Sequence, residues 1–251
     1  FIIQGSLTFI FFLSLIFILT SLEWFRMTKN KELQKRILSS IILIPSSFFF
    51  IIQGNILFIF FLSLIFIVTS FEWLKMTKKK DLLRIFGFLF LLFSFYSAIY
   101  LRQYIGLNFF LFLIIVCIFT DIGGYIFGKT FKGPKLSKIS PNKTYSGVVG
   151  SFLISFIFGI IFIKYFGQKS KILLDIDSLF VLLLIFFISL VSQIGDLIVS
   201  FFKRKAKLKD TGKILPGHGG ILDRIDGIIF VMPITYLFVL PFLIIKLDLI
   251  K

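Results

Sequence analysis

The amino-acid sequence predicts an all-α integral membrane protein, built as a polytopic bundle of about seven to eight transmembrane helices. Composition is the first reason, since 58% of the 251 residues are apolar and only 16% are charged. The second is that the apolar residues form long runs, and about 20 such residues suffice to span a bilayer. The third is that the 28 Lys and Arg residues fall mainly in every second loop.

The basic residues indicate an orientation in the membrane rather than a nucleic-acid partner. The predicted membrane runs cover residues 1–22, 37–52, 54–72, 84–101, 106–128, 146–166, 178–202 and 227–246. The first, third, fifth and seventh loops hold 22 of the basic residues, and the other connections and the tail hold six. The positive-inside rule therefore predicts that the four basic loops are cytoplasmic. The formal net charge of +16 is then mainly a topological signal, and we expect no nucleic-acid binding.

A duplication marks the beginning of the chain. Residues 1–29 recur as residues 50–78, with 22 of 29 positions identical. Two copies of a membrane run do not make a solenoid, which needs more repeats to bury a continuous core. We therefore predict a dispensable duplicated segment over residues 1–30 and a membrane domain with cytoplasmic active-site loops over residues 31–251.

The stretch up to residue 101 is predicted to be scaffold. Residues 37–72 predict a tight helical hairpin, because Gly54 lies in a polar Gln-Gly-Asn turn. Trp24 and Trp73 lie at the ends of apolar runs beside basic residues, where aromatic side chains anchor helices at the membrane interface. We expect both to be such anchors. The run 84–101 predicts a further scaffold helix.

A carboxylate, Asp121, lies within the run 106–128. An ionised group at membrane depth is costly, so we expect Asp121 to face a polar cavity, with Tyr125 on the same helical face. Residues 123–130 also match the phosphate-loop pattern G-x-x-x-x-G-K-T. No buried strand precedes them, as a true phosphate loop requires, so we interpret this match as chance.

Polar residues form a stripe at the end of the seventh run. Gln193, Asp196, Ser200 and Lys203 are spaced by three, four and three residues, which places them on one helical face. Such a stripe, leading from membrane depth into a charged loop, predicts the wall of a polar pocket. The loop itself, within residues 200–226, contains the single His and four of the glycines.

The residue types in this loop indicate a site for phosphate and metal. Asp223 and Asp226 lie three residues apart at the start of the last helix, and Asp196 lies on the preceding helix. Carboxylate oxygens combined with phosphate oxygens are the usual ligands of Mg²⁺. The flexible backbone of residues 216–220 can offer amide groups to an anion. The positive charge that a polyphosphate needs would come from Lys203, Arg204 and Lys209.

Three segments of this loop carry a resemblance to a known family. They read Ser200-x-x-Lys203-Arg204, then Lys209-Asp210-x-Gly212, then Leu215-Pro216-Gly217-His218-Gly219-Gly220-x-Leu222-Asp223-Arg224-x-Asp226. Supporting segments are Gln193-x-Gly195-Asp196, Ser140-Pro-x-Lys143-Thr and Asp121-x-x-Gly-Tyr125. Together, from about Lys31 to the end of the chain, they resemble the phosphatidate cytidylyltransferases (CDP-diacylglycerol synthases). The chain departs from that family at Tyr145-Ser146-Gly147, where members often have Glu in the middle, so we assign no acidic role there.

The resemblance implies an enzyme that transfers CMP from CTP to phosphatidate, giving CDP-diacylglycerol and pyrophosphate in phospholipid biosynthesis. It implies Mg²⁺ with K⁺ as a second cation, and a homodimer in contact with membrane lipids. It also implies a multi-pass protein of the bacterial inner membrane. Asp196, Asp223 and Asp226 would hold metal and act in catalysis with Lys203 and Ser200. Substrate binding would fall to Arg204, Lys209, Asp210, His218, Gly219, Gly220, Arg224, Lys143, Asp121 and Tyr125.

Two alternatives from the sequence remain open at this point. A related enzyme could use the same site, such as a CTP-dependent polyprenol or phytol kinase, and only substrate assays separate it from the synthase. An ion-coupled transporter could use Asp121 and Asp196 as ion ligands. That class typically has broken helices and inverted repeats. The repeat in this sequence is a tandem copy, which does not favour a transporter.

Overall fold

The predicted helical class is confirmed. The structure, a computed structural model, describes residues 20–22, 25, 30–78, 81–137, 140, 143–167 and 178–248. Within those ranges it contains no β-strand, and the β-type pairing there consists of two isolated bridges, Lys135 with Thr144 and Leu215 with Gly219. Most of the predicted segment 1–30, including Trp24, lies outside the described residues.

Eight helices account for most of the described chain. They are α1 (Lys31–Gln53), α2 (Asn55–Met76), α3 (Asp81–Tyr100), α4 (Leu107–Phe131), α5 (Tyr145–Phe166), α6 (Ser178–Lys205), the short α7 (Leu222–Ile225) and α8 (Ile228–Asp248). A π-helical turn, Leu101–Ile105, extends α3. Among the described residues, six helices are long and apolar enough to cross a membrane, and α8 adds a shorter apolar stretch, Ile228–Phe238. The chain is therefore a multi-pass membrane protein, and the predicted seven to eight helices are consistent with this count.

The predicted hairpin turn between α1 and α2 is present, and the side chain of Arg102 is hydrogen-bonded to it. Gly54 adopts a positive φ of 65°, which glycine accepts without strain. The Arg102 guanidinium donates to the carbonyl oxygens of Ile51 (2.6 Å) and Ile52 (2.9 Å). These carbonyls end α1 and have no partner within the helix. Arg102, the one basic residue of its loop, thus satisfies the end of a helix.

The main hydrophobic core surrounds α4. Its fully buried side chains include Phe109, Phe112 and Leu113 of α4, with Phe58 of α2 and Ile185 of α6 packed against the same cluster. Because α4 contacts α5, α6 and α8, residues from distant parts of the sequence lie close to it. Asp121 of α4 therefore shares a cavity with residues of α6 and of the loop before α5.

A second cluster lies where α2 and α6 end. It contains Trp73, Leu91, Val199 and Leu222. Trp73 is only 7% exposed and packs edge-on against Phe202. The predicted role of Trp73 as an interfacial anchor is therefore wrong, because the ring is buried against Phe202 of α6 and Gly87 of α3.

Glycines bring α4 and α5 into backbone contact. A Cβ placed on Gly123 would collide with the carbonyl oxygen of Gly150, and one on Gly147 would lie 2.8 Å from the carbonyl oxygen of Gly124. Small residues commonly permit such close helix approach in membranes. Residues 123–130 thus form part of a packed helix, α4, and not a phosphate loop. The interpretation of that motif as a chance match is confirmed.

The glycine contact between α4 and α5 gives a stability prediction. Gly123→Ala should lower the free energy of unfolding by about 1–3 kcal/mol, because the new methyl group meets a backbone carbonyl that cannot rotate away. Gly124→Ala is the matched control, since its Cβ would lie 2.7 Å from the Ser151 hydroxyl, which can change rotamer. Thermal unfolding in detergent measures both. Equal melting temperatures for the two variants would contradict the close packing of this seam.

Candidate functional site

One cavity gathers most of the predicted site residues. It has a volume of about 530 Å³ and lies at the end of the bundle where the basic loops meet. Its walls come from α4, the loop before α5, the first turns of α5, α6, and the segment between α6 and α8. The predicted residues that line it are Asp121, Tyr125, Lys143, Asp196, Lys203, Asp210, Asp223, Arg224 and Asp226.

The polar stripe of α6 forms one wall. Gln193, Asp196 and Lys203 line the cavity, as their helical spacing predicts. Ser200 does not line it, but its hydroxyl donates to Asp196 Oδ1 at 3.3 Å. Ser200 therefore contacts the cavity through Asp196 rather than directly.

Two ion pairs hold cations and carboxylates together across the cavity. Lys143 Nζ lies 2.5 Å from Asp196 Oδ2. Lys203 Nζ lies 2.8 Å from Asp223 Oδ1, and these two side chains are only 13% and 6% exposed. Removing one member of such a buried pair leaves an uncompensated charge, which is strongly destabilising. The Lys203–Asp223 pair therefore keeps both signs of charge in place at low exposure.

Asp226 lies outside the membrane spans, and its surroundings strongly shift the pKa of its carboxyl group. Its removal from water, followed by the proximity of Asp196, raises its pKa well above the usual range. Two carboxyl groups this close repel each other when both are ionised. A divalent cation bound between them would relieve that repulsion. The donor set of Asp196 and Asp226 thus fits Mg²⁺.

Asp223, the third predicted metal ligand, is engaged differently. Its Oδ2 accepts from the amides of Thr211 (2.8 Å) and Gly220 (3.0 Å) and from the Thr211 hydroxyl (3.1 Å). Its Oδ1 accepts from Lys203. In the described part of the chain, no three His, Cys, Asp or Glu side chains form a group that could hold a metal ion. The geometry therefore favours a pair of carboxylates, and the predicted set of three stays a prediction.

Six predicted site residues lie outside the cavity lining, namely Ser200, Arg204, Lys209, His218, Gly219 and Gly220. Burial, followed by the charges of Arg224 and Arg36, lowers the pKa of His218 and favours its neutral ring. His218 Nδ1 lies 2.7 Å from the Ser39 hydroxyl of α1. The His218 ring therefore ties the loop to α1, and its assignment to substrate binding stays a prediction.

Sequence reasoning missed two residues that organise this site. Glu72 of α2 is only 3% exposed and accepts from the Thr211 hydroxyl at 2.9 Å. It also accepts from the amides of Ile221 (3.1 Å) and Leu222 (2.9 Å). The available signal was a carboxylate at the end of an apolar run, next to Trp73. No sequence pattern indicated a role for Thr211.

The raised pKa of Asp226 gives a prediction with a definite sign. Its pKa is higher in the folded than in the unfolded protein, so the folded state binds more protons between the two values. The wild-type protein therefore loses stability as pH rises from about 4 through that interval. Asp226→Asn lacks this slope, so without added metal it should melt at a higher temperature than wild type at neutral pH, with the difference growing as pH increases.

Thermal unfolding at a series of pH values measures this difference. Asp81→Asn is the control, because Asp81 is 88% exposed on α3. The control should show little change at any pH. A melting temperature of Asp226→Asn below wild type at neutral pH, or a difference that does not vary with pH, would contradict the assignment of a perturbed carboxyl group to this position.

Comparison with known proteins identifies the family of this chain. A family model described as the cytidylyltransferase family matches residues 1–242. A phosphatidate cytidylyltransferase of Bacillus subtilis (strain 168) is 43% identical over 137 residues, which cover 54% of this chain and 48% of the relative. One of Staphylococcus haemolyticus (strain JCSC1435) is 42% identical over 130 residues, covering 51% and 48%. The chain spans about half the length of the curated relatives it matches. Since the family model matches nearly the whole chain, the chain belongs to the cytidylyltransferase family.

Proposed function

We propose that this protein transfers CMP from CTP to phosphatidate and releases CDP-diacylglycerol and pyrophosphate. The observation that carries the proposal is the cavity, in which residues from all the segments of the family resemblance meet at one end of a membrane bundle. The relatives named phosphatidate cytidylyltransferase indicate the substrates.

The reaction needs little acid–base catalysis. A phosphate oxygen of phosphatidate attacks the α-phosphorus of CTP, and a new P–O bond forms. The bond from the α-phosphorus to the oxygen bridging to the β-phosphorus breaks, and its electron pair leaves with pyrophosphate. The attacking oxygen is already ionised at neutral pH, so no strong base is needed. Catalysis can then rest on positioning and on neutralising charge.

The charge balance of the cavity supports a cation requirement. Its described lining contains five Asp and three basic residues, although the whole chain carries a net charge of +16. Such a lining would repel a triphosphate that arrived alone. Asp196 and Asp226 would hold Mg²⁺, with Asp223 as the predicted third ligand, and the ion would neutralise phosphate charge. Lys143, Lys203 and Arg224 would bind the phosphates.

The lipid would approach from the side of the bundle. Tyr125 on α4 is 67% exposed although it lines the cavity, so the cavity opens next to a membrane helix. A lipid phosphate at interface depth could enter there while its acyl chains stay in the bilayer. In this proposal the cavity faces the cytoplasm of a bacterium, as the distribution of basic loops predicts. The homodimer and the second cation, K⁺, are further parts of the proposal that the resemblance supplies.

The test is formation of radiolabelled CDP-diacylglycerol from CTP and phosphatidate by purified protein in detergent. Product should require Mg²⁺. Asp226→Asn should reduce turnover by about 100-fold or more, because it removes a proposed ligand of the cation that would stabilise the developing charge. Asp81→Asn, at an exposed site on α3, is the matched control and should keep wild-type turnover. Loss of activity in a variant that melts at a higher temperature cannot be ascribed to unfolding.

Other outcomes separate the alternatives. Folded protein that binds CTP but makes no CDP-diacylglycerol would contradict the proposal, and phosphate transfer from CTP to polyprenol or phytol would then indicate a lipid-alcohol kinase. Folded protein that does not bind CTP with Mg²⁺ would contradict both enzymes. Full activity of Asp226→Asn would remove this carboxylate from the proposed metal site.

A further inference from the structure

Glu72 is a buried carboxylate whose described partners all belong to the loop between α6 and α8. It lies in the last turn of α2 with 3% of its surface exposed. A carboxylate removed from water must regain its hydrogen bonds, or its burial is very costly. Here the Thr211 hydroxyl and the amides of Ile221 and Leu222 provide three of them, at 2.9, 3.1 and 2.9 Å.

The loop is shaped to receive this carboxylate. A Cβ placed on Gly212 would collide with Glu72 Oε1, and one on Gly220 would lie 2.6 Å from Glu72 Oε2. Both glycines therefore leave the space that the Glu72 side chain fills. The two amides it accepts from, those of Ile221 and Leu222, stand at the beginning of α7, where backbone N–H groups have no helical partner.

The contacts of Glu72 continue into the cavity. The Thr211 hydroxyl lies between two carboxylates, 2.9 Å from Glu72 Oε2 and 3.1 Å from Asp223 Oδ2. A hydroxyl has one proton, so it donates to one of them at a time. The Thr211 amide also donates to Asp223, and Asp223 in turn accepts from Lys203. A continuous series of polar contacts thus joins the scaffold helix α2 to two residues of the cavity wall.

We infer that Glu72 is a positioning residue, which anchors the segment 211–222 to α2 and so directs Asp223 and Lys203 into the cavity. Its effect on turnover rests on the proposed function, but its anchoring of the loop does not. Gln at this position would direct an NH₂ group at backbone N–H donors and lose an acceptor. Asp would keep the charge on a shorter side chain, so it should restore part of the anchoring.

Limited proteolysis tests the anchoring without reference to catalysis. Lys209 and Lys213 are exposed in the loop and are trypsin sites. Cleavage there in the folded protein should be about tenfold faster in Glu72→Gln, since the buried amides lose their acceptor, and intermediate in Glu72→Asp. Ser94→Ala is the control, because it breaks another buried contact, the 2.6 Å hydrogen bond from Ser94 to the Ile229 carbonyl, outside the loop. It should leave loop cleavage unchanged.

Kinetics then test the positioning. Glu72→Gln should raise the KM for CTP about tenfold and leave the KM for phosphatidate unchanged, because the anchored groups are those proposed to hold the triphosphate. Ser94→Ala should change neither KM. A purely structural role for Glu72 would not produce this difference between the two substrates. Unchanged loop cleavage in Glu72→Gln, or equal cleavage in the Ser94→Ala control, overturns the inference.

A second variant keeps the inference testable if Glu72→Gln does not fold. Thr211→Val retains the shape of the side chain and removes the hydroxyl that both carboxylates share, so loop cleavage should rise by a smaller factor. Wild-type-like cleavage in this variant would overturn the inference. If cleavage rises in the variants but the wild-type protein makes no CDP-diacylglycerol, the anchoring stands and the proposed function fails.

Discussion

The structure depends on how four carboxylates are satisfied at one end of an apolar helix bundle. An ionised group there must find donors or cations, because little water is available to replace them. The chain uses a different solution for each. Glu72 accepts from backbone amides and a hydroxyl, Asp223 accepts from amides and a lysine, Asp196 pairs with a lysine, and Asp226 accepts from the Gly227 amide.

These partners explain how the cavity can exist before any ligand arrives. Lys143 and Lys203 are each paired with a carboxylate in the described structure. Under the proposed function, a nucleoside triphosphate with its cation would bring both signs of charge together. Its phosphates would then pair with the ammonium groups and its cation with the carboxylates, so that neither sign of charge would be buried alone.

The local parts of this site could be predicted from sequence, and the tertiary parts could not. Helical periodicity placed Asp196 and Lys203 on one face, and the cost of charge at membrane depth pointed Asp121 toward a cavity. Both expectations depend only on neighbours within one helix. The approach of Glu72 to Thr211 joins residues 139 positions apart, and no local pattern reports such a contact. The contact of the His218 ring with Ser39 of α1 joins residues 179 positions apart, so no local pattern predicted it either.

Trp73 shows how an interpretation based on local sequence fails when a tertiary contact is not known. A Trp beside lysines at the end of an apolar run is typical of an interfacial anchor. The prediction was wrong because Phe202 of α6 and Gly87 of α3 pack against the ring. Glu72, the preceding residue in the sequence, is instead buried against the loop after α6. A carboxylate at such a position is therefore better interpreted as a sign that another segment covers it.

The two ends of the bundle show why the proposed chemistry belongs to one of them. At the far end Arg102 neutralises the carbonyls that end α1, and at the basic end Glu72 accepts the amides that begin α7. Each of these charged groups lies at a helix terminus of opposite partial charge and is therefore already paired within the protein. Asp196 and Asp226 differ, since neither accepts from the amides of a distant segment within the described residues. Asp196 raises the pKa of Asp226, so under the proposed function a cation held by both carboxyl groups would reduce the repulsion between them.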